Sequence, residues 1–334
     1  MPYKFLSMKE HLQILDQLEV NLTQGSMLLV NIILAFVMFG VALGIKLDTF
    51  KDVVRNPKSV LTGLFLQWVA LPAATCLLVI ILNPVITPMV AIGMILVACC
   101  PGGNISNFIS SLSKGNAELS VFMTAITTLF ATLITPFNFW LWGTLYCRFA
   151  EAKHEIPNLD IPFMDMLTQI ILILGIPIIL GVTVSRYLPK LSQRLAKPAQ
   201  VLSILLFICM VVVSVKQVLS SFPSDQAGFN VYACLLWALV VVVLHNATAL
   251  STGYYGATAM KLPRIDRRSI TIEVGIQNSG LGLALLLNPA IFDPAVWHNN
   301  GGMVIVTALW GVWHIISGLS VATIFRRRKI SEVL

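Results

Sequence analysis

Stretches of apolar residues, each about as long as a membrane-crossing helix, fill most of this 334-residue chain. A spanning helix needs about 20 predominantly apolar residues. Charged residues make up only 11% of the chain, against about 25% in soluble domains. The sequence therefore predicts an all-α polytopic membrane protein with nine transmembrane helices, at about residues 27–45, 59–83, 88–112, 118–146, 163–185, 199–220, 229–258, 269–288 and 301–325.

The segment before the first span, residues 1–24, mixes charged and apolar residues and lacks the uninterrupted apolar core of a signal peptide. Its apolar positions fit one face of a short helix: Leu12, Ile14, Leu15, Leu18 and Val20. We expect this amphipathic helix to lie on the membrane surface.

Lysine and arginine residues concentrate on one side of the predicted spans. Most of the 22 lie in segments that share a side with the C-terminus, namely 46–58, 113–117, 186–198, 259–268 and the basic tail 326–334. Basic loops stay in the cytoplasm, so we predict an external N-terminus and a cytoplasmic C-terminus in a bacterial inner membrane or plasma membrane. The net charge of +7 is thus explained by topology, and we expect no nucleic-acid partner.

An acidic residue, Glu273, lies within the predicted span 269–288. A carboxylate inside a membrane is costly and usually faces a partner, an ion path or a substrate path. Glycines and amides surround it and favour an opened helix. The backbone carbonyls that such an opening frees, for example those of Val274 and Ile276, would bind a hard cation such as sodium. The alternative is a protonated or paired glutamate that holds helices together.

A second interruption, CPGGNISN at residues 100–107, lies in the first half of the chain. Proline followed by two glycines ends one half-helix and lets another begin, whose free N–H groups would attract an anion. Ser120 and Thr124 follow on one face of the next span. Interrupted helices in both halves of a chain are typical of the binding site of a secondary transporter.

Gln67, His245 and His314 are isolated polar residues in other predicted spans. Considered alone, each is better explained by an interhelical hydrogen bond or by packing than by ligand binding.

Four segments together resemble the bile acid:sodium symporter family: CPGGNISN (100–107), KGNAELS (114–120), IEVGIQNSG (272–280) and VWHIISG (312–318). The similarity covers about residues 25–325. It implies one transporter unit over 25–325 with two inverted repeats of four and five helices. A panel domain would comprise about 27–58 and 163–220. A core domain of about 59–146 and 229–325 would contain two crossing broken helices.

The resemblance also implies two sodium sites and a substrate crevice between core and panel. The first sodium site would use Ser106, Asn107, Ser120, Thr124 and Glu273. The second would use Gln67, Glu273, Gln277 and the backbone of Val274 and Ile276. Substrate contacts would come from the break regions and the last span, at Asn104, Ile105, Asn278, Ser279 and His314. Asn104 and Ile315 depart from the Thr and Asn that are common in the family.

We therefore predict that the chain is not an enzyme but a sodium-coupled symporter of an organic anion, either bile-acid-like or a small monocarboxylate such as pantoate. A proton-coupled or uncoupled carrier is the main alternative. A channel fits less well, because oxygen ligands crowded at helix breaks suit an occluded ion better than an open pore. An intramembrane hydrolase also fits poorly, because this sequence contains no run that resembles a nucleophile elbow.

Overall fold

The computed structural model describes residues 6–18, 24–44, 57–103, 105–152, 161, 163–220, 230–293, 296–297 and 299–328. Within these ranges the secondary structure consists of twelve helices. They are α1 (Met8–Asp16), α2 (Gln24–Leu43), α3 (Pro57–Leu82), α4 (Pro88–Cys99), α5 (Ile105–Leu112), α6 (Ala117–Ala152), α7 (Phe163–Tyr187), α8 (Pro189–Ser220), α9 (Val231–Ala259), α10 (Arg264–Gly275), α11 (Ser279–Leu286) and α12 (Gly301–Arg327).

Five of these helices, α3, α6, α7, α9 and α12, are long and apolar enough to cross a membrane. The prediction of an all-helical polytopic membrane protein is confirmed at this level. Each of the nine predicted spans contains one helix or a pair of short helices, α4 with α5 and α10 with α11. That all nine segments cross the membrane, and that they form inverted repeats, stay predictions.

Two of the long helices widen locally into a π-helical turn, at Leu66–Ala70 in α3 and Ile171–Gly175 in α7. The Leu71 N–H donates to the Leu66 carbonyl, five residues back rather than four. Both wide turns lie just before a proline, Pro72 or Pro177, whose ring crowds the preceding turn and which has no N–H to donate. The turn in α3 contains Gln67, and π-helical turns often occur at functional positions.

The N-terminal helix α1 forms as predicted, but its apolar face is covered by protein. Leu12 and Leu15 are fully buried in the main hydrophobic core. The helix packs on α9, α12 and α4, and Lys9 donates to the Asn83 carbonyl (3.2 Å). The expectation that this face lies on the membrane surface is therefore wrong for these two leucines, because neighbouring helices supply the apolar contacts that lipid would have provided.

The remaining helices pack as two groups. One comprises α2, α7 and α8, where α2 packs chiefly on the other two. The two helices α2 and α7 are in close contact at Gly181 of α7, since a Cβ there would lie 2.8 Å from the Phe39 carbonyl oxygen of α2. The other group surrounds the two interrupted helices and includes α3, α6, α9 and α12. Contacts between the groups run through α6 with α7, α8 with α12 and α2 with α11.

Candidate ion-binding site

The two helix interruptions lie against each other and pair through their backbones. Gly102 and Gln277 form an isolated antiparallel bridge. The Gly103 N–H donates to the Ile276 carbonyl, and the Asn278 N–H donates to the Pro101 carbonyl, both at 2.8 Å. Each break therefore satisfies backbone groups that the other leaves unpaired, which is the condition for interrupting a helix within a membrane.

Glycine is needed where the two segments cross. A Cβ on Gly103 would lie 3.0 Å from the Gln277 carbonyl oxygen, which is backbone and has little freedom to move. A Cβ on Gly102 would lie 2.8 Å from Oε2 of Glu273. The glycines at 102 and 103 thus allow one chain to pass directly over the other and over the carboxylate.

Four helix ends meet at this crossing, and their dipoles define its electrostatics. The C-terminal ends of α4 and α10 present carbonyl groups, which favour cations. The N-terminal ends of α5 and α11 present N–H groups, which favour anions. Oppositely charged ligands therefore have separate, adjacent favourable positions at one crossing.

Glu273, at the end of α10, is 1% exposed and is surrounded by hydroxyl groups. Its Oε1 accepts from Ser106 Oγ of α5 (2.5 Å) and from Ser120 Oγ of α6. Thr124 Oγ1 is 3.1 Å from Oε1 and 3.0 Å from Oε2. No lysine or arginine of the described part of the chain forms an ion pair with this carboxylate. The predicted residues of the first sodium site are therefore brought together around an acidic group that has no basic partner among the described residues.

Oxygen atoms in this cluster outnumber the protons available to bridge them. Ser120 Oγ has one proton but lies within hydrogen-bonding distance of Asn107 Oδ1, Ser110 Oγ and the Glu273 carboxylate. Thr124 Oγ1 lies near both carboxylate oxygens and is 3.1 Å from Asn107 Oδ1. Such a set of carboxylate, amide and hydroxyl oxygens is the donor chemistry that hard cations bind.

The predicted second site is assembled in part. Gln67 Nε2 donates to Gln277 Oε1 (2.7 Å), and Gln277 Nε2 donates to the Val274 carbonyl (2.8 Å). Gln67 Oε1 is buried without a hydrogen-bond partner in the described part of the chain. The Ile276 carbonyl is already an acceptor in the bridge with Gly103. The two amides and Val274 thus form a second oxygen-rich group beside Glu273.

The residues predicted to contact substrate are only partly gathered. Ile105 is the first residue of α5, whereas Asn104 lies outside the described residues. Asn278 caps α11, and its Oδ1 accepts from the Leu281 N–H (3.1 Å). Ser279 Oγ is buried and has no partner among the described residues. His314 is buried on α12, and no hydrogen bond joins its ring to Asn278 or Ser279 in that part of the chain.

Sequence reasoning missed two residues near the crossing. Ser110 joins the hydroxyl cluster at 3.1 Å from Ser120, and its spacing of four residues from Ser106 on α5 was the available signal. Asn246, which follows His245 in α9, donates to the Gly275 carbonyl at the end of α10 (2.8 Å) and accepts from Ser317 (2.5 Å). It satisfies a carbonyl that the helix break frees, which no local pattern reveals.

Comparison with known proteins bears on what this crossing does. The sequence pattern described as the Sodium Bile acid symporter family matches residues 31–223, more than half of the chain. This chain belongs to the sodium bile acid symporter family. The family resemblance given by the four sequence segments is therefore confirmed, and the chain is a membrane transporter of this family rather than an enzyme, as predicted.

Similar proteins come from bacteria, plants and animals. The uncharacterized sodium-dependent transporter YocS of Bacillus subtilis (strain 168) is 32% identical over 301 residues, which cover 90% of this chain and 83% of that protein. The probable sodium/metabolite cotransporter BASS1, chloroplastic, of Arabidopsis thaliana is 26% identical over 84% of this chain and 65% of its own length. Sodium/bile acid cotransporter 4 of Mus musculus is 28% identical over 80% and 57%. This chain spans less than two thirds of the plant and mouse proteins.

Proposed function

We propose that this protein is a sodium-coupled symporter of an organic anion that works by alternating access. The observation that carries the proposal is the oxygen cluster around Glu273, which has more oxygens than protons and no basic partner in the described part of the chain. Membership of the family and the sodium-dependent relatives support the same function. The substrate would be bile-acid-like or a small monocarboxylate such as pantoate.

Two sodium ions are proposed, one on each side of Glu273. The first would bind the hydroxyl and amide oxygens of α5 and α6, contributed by Ser106, Asn107, Ser120 and Thr124. The second would bind Glu273, the amide oxygens of Gln67 and Gln277 and the carbonyls of Val274 and Ile276, once Gln67 rotates so that its oxygen faces the ion. Their charge would offset the cost of burying the carboxylate and hold the opened ends of α4 and α10 together.

The anion would then bind near the N-terminal ends of α5 and α11, at Asn104, Ile105, Asn278, Ser279 and His314. At α11 part of this positive end is already used, because Asn278 caps Leu281. An arriving carboxylate therefore has to share or replace that cap. Since cations and anion stabilise the same crossing, binding of one should strengthen binding of the other by an equal factor.

For alternating access, we propose that α2, α7 and α8 form the panel and the remaining transmembrane helices the core. All the proposed sodium ligands lie on α3, α5, α6 and α10 or beside them, within one group of helices. The sodium sites would thus move with the core. With an external N-terminus and sodium concentrated outside, transport would run inward.

The decisive experiment is a thermal-stability measurement on the purified protein in sodium chloride and in choline chloride. We expect sodium to raise the unfolding temperature of the wild type and to have no such effect on Glu273→Gln, which keeps the shape but loses the charge. Organic anions, including cholate and pantoate, are then screened with and without sodium. Only a transported anion class should add a further rise that depends on sodium.

A matched pair of variants on α6 controls for general destabilisation. Thr124→Val removes a hydroxyl that lies 3.0 Å from Glu273, whereas Thr127→Val removes one whose hydrogen bond, among the described residues, goes to the Thr124 carbonyl of its own helix (3.2 Å). A hydrogen bond to a charged group contributes about 1.5–3 kcal/mol, so Thr124→Val should weaken sodium binding by roughly 10- to 100-fold.

A sodium response of Glu273→Gln equal to that of the wild type contradicts the proposal. A wild type that responds to pH but not to sodium instead supports the proton-coupled carrier.

A further inference from the structure

Asn116, in the short turn between α5 and α6, uses every polar group it has. Its Oδ1 accepts from the Leu119 N–H (3.0 Å) and so caps α6. Its Nδ2 donates to Asp266 Oδ1 (2.8 Å), its N–H donates to the Ile265 carbonyl (3.2 Å), and its carbonyl accepts from Ser269 Oγ (2.8 Å). One residue thus begins α6 and contacts the first turns of α10 through three separate groups.

The partner carboxylate is itself held in place. Asp266 is 5% exposed, and its second oxygen accepts from Ser59 Oγ of α3 (2.6 Å). It lies in the first turn of α10, where the helix dipole favours a negative charge. The side chain therefore presents Oδ1 to Asn116 in a fixed position.

The backbone of the turn has little freedom to adjust. Lys114 adopts a left-handed conformation, with φ 56°, at the end of α5. A Cβ on Gly115 would lie 2.6 Å from Ser269 Oγ, so the chain passes directly against α10. Gly115 also donates to the Ser110 carbonyl (3.0 Å), which ties the end of α5 to the same turn.

Asn116, at the start of α6, and Ser269 of α10 are hydrogen-bonded to each other, and each lies about one helical turn before a residue of the candidate sodium site. Asp266 lies about two turns before Glu273. Ser120 follows Asn116 by four residues on α6, and Glu273 follows Ser269 by four residues on α10. Four helical residues span about 6 Å. A sliding or rotation of α6 against α10 at Asn116 would therefore also change the distances from Ser120 and Thr124 to the Glu273 carboxylate.

We infer that Asn116 and Asp266 form a positioning pair that fixes the register of α6 against α10 and so sets the sodium affinity of the Glu273 cluster. This inference rests on the proposed sodium-coupled function. Neither residue is among the proposed sodium ligands. Outer residues that orient metal ligands typically change affinity by roughly 10- to 100-fold when replaced.

The test exchanges donor and acceptor between the two positions. Asn116→Asp keeps a good cap for α6 but sets two carboxylates against each other. Asp266→Asn keeps an acceptor for the Asn116 amide. The double variant restores one donor and one acceptor with their places exchanged. Radioactive sodium binding to each purified variant, in the absence of any organic anion, gives the sodium concentration for half-maximal binding.

We expect Asn116→Asp to raise that concentration by about 10-fold or more and Asp266→Asn by about 3-fold or less. The double variant should recover to within about 3-fold of the wild type. A structural role alone would lower the unfolding temperature without sodium and leave the half-maximal concentration unchanged. Asn230→Asp is the control, because Asn230 caps α9 through the Ala233 N–H (3.2 Å) and is exposed.

Two failures are distinguishable. If the wild type binds sodium, Glu273→Gln does not, and Asn116→Asp binds with wild-type affinity, the positioning inference is overturned while the proposed function stands. If the wild type binds no sodium, the proposed function itself fails. A double variant whose half-maximal sodium concentration is no lower than that of Asn116→Asp also overturns the inference, since the restored pair would then have no effect on the site.

Discussion

Buried carboxylate oxygens occur in Glu273, Asp266 and Asp16, and each of these carboxylates has a different set of partners. Glu273 is surrounded by hydroxyl groups from two helices. Asp266 has a serine and an amide at the start of a helix. Asp16, at the end of α1, lies against Gly302 near the start of α12, and its Oδ1 has no hydrogen-bond partner among the described residues. Only the first carboxylate lies among a surplus of oxygens, so only there does the chemistry indicate a cation.

Asp16 gives a prediction on pH. Burial raises the pKa of the Asp16 carboxyl well above its usual 3.8, and a hydrogen bond from Thr87 offsets this only in part. The folded state therefore holds this proton more tightly than the unfolded state, and the wild type loses stability as the pH rises above 3.8. Asp16→Asn removes the charge, so at pH 7 to 8 it should unfold about 2 °C or more above the wild type.

The measurement is the unfolding temperature as a function of pH, with Asp165→Asn as control. Asp165 is an exposed carboxylate in the first turn of α7, and its replacement removes the same charge without involving a buried oxygen. The gap between Asp16→Asn and the wild type should close towards pH 4. If the unfolding temperatures of Asp16→Asn and the wild type instead differ by the same amount at every pH, burial of the charged Asp16 carboxylate does not destabilise the protein.

Among the elements, the two interrupted helices depend on each other most. The backbone groups freed at the breaks of α4–α5 and α10–α11 find hydrogen-bond partners in the other interrupted helix, through the bridge between Gly102 and Gln277. Asn246 of α9 and the wide turn of α3 that carries Gln67 support the crossing from outside. The candidate site is therefore a property of four or more helices, and no single helix contains it.

Close approach at this crossing predicts the effect of one methyl group. Gly103→Ala places a Cβ 3.0 Å from the backbone carbonyl oxygen of Gln277 and 3.3 Å from the Ile276 side chain. We expect overpacking of this kind to cost about 1–3 kcal/mol, with a lower unfolding temperature and loss of sodium-dependent stabilisation. Gly143→Ala of α6 is the control, because its nearest neighbour is the Ile161 side chain at 3.3 Å, which has freedom to rotate. Equal behaviour of the two variants would refute the tight crossing.

Much of this element structure follows from local sequence. Pro101 with Gly102 and Gly103 predicted the first break, and the glycines and amides around Glu273 predicted the second. The meeting of these breaks came only from the family resemblance, because pairing between distant segments leaves no local periodicity. For the same reason the contact of Asn116 with Asp266 and the burial of Leu15 were not predicted. An amphipathic pattern identifies an apolar face, but it does not say whether lipid or protein covers that face.

At the scale of the whole molecule, the helices divide into two groups with few connections between them. The group of α2, α7 and α8 meets the rest chiefly through α6, α11 and α12. Extensive hydrogen bonding within the larger group, around the crossing and at Asn116, favours movement of that group as one body. This arrangement supports the proposed alternating access between panel and core.

A cross-link between the groups tests that movement. Thr132 of α6 and Gly175 of α7 are close, since a Cβ on Gly175 would lie 3.5 Å from Thr132 Cγ2. The oxidised Thr132→Cys, Gly175→Cys variant should keep sodium-dependent stabilisation but lose nearly all uptake of the anion found in the screen, and a reducing agent should restore uptake. The two single variants, Thr132→Cys and Gly175→Cys, are the controls. Wild-type uptake by the cross-linked protein would show that α6 and α7 do not move apart.

The bridge between the breaks also has a consequence for how the chain is made. About half of the sequence separates Gly102 from Gln277. While the ribosome is still producing the second half, the Pro101 carbonyl and the Gly103 N–H lack the partners that they have in the finished protein. A nascent chain therefore carries an unsatisfied break through about half of its synthesis, and insertion of residues 276–278 is the step that completes both broken helices at once.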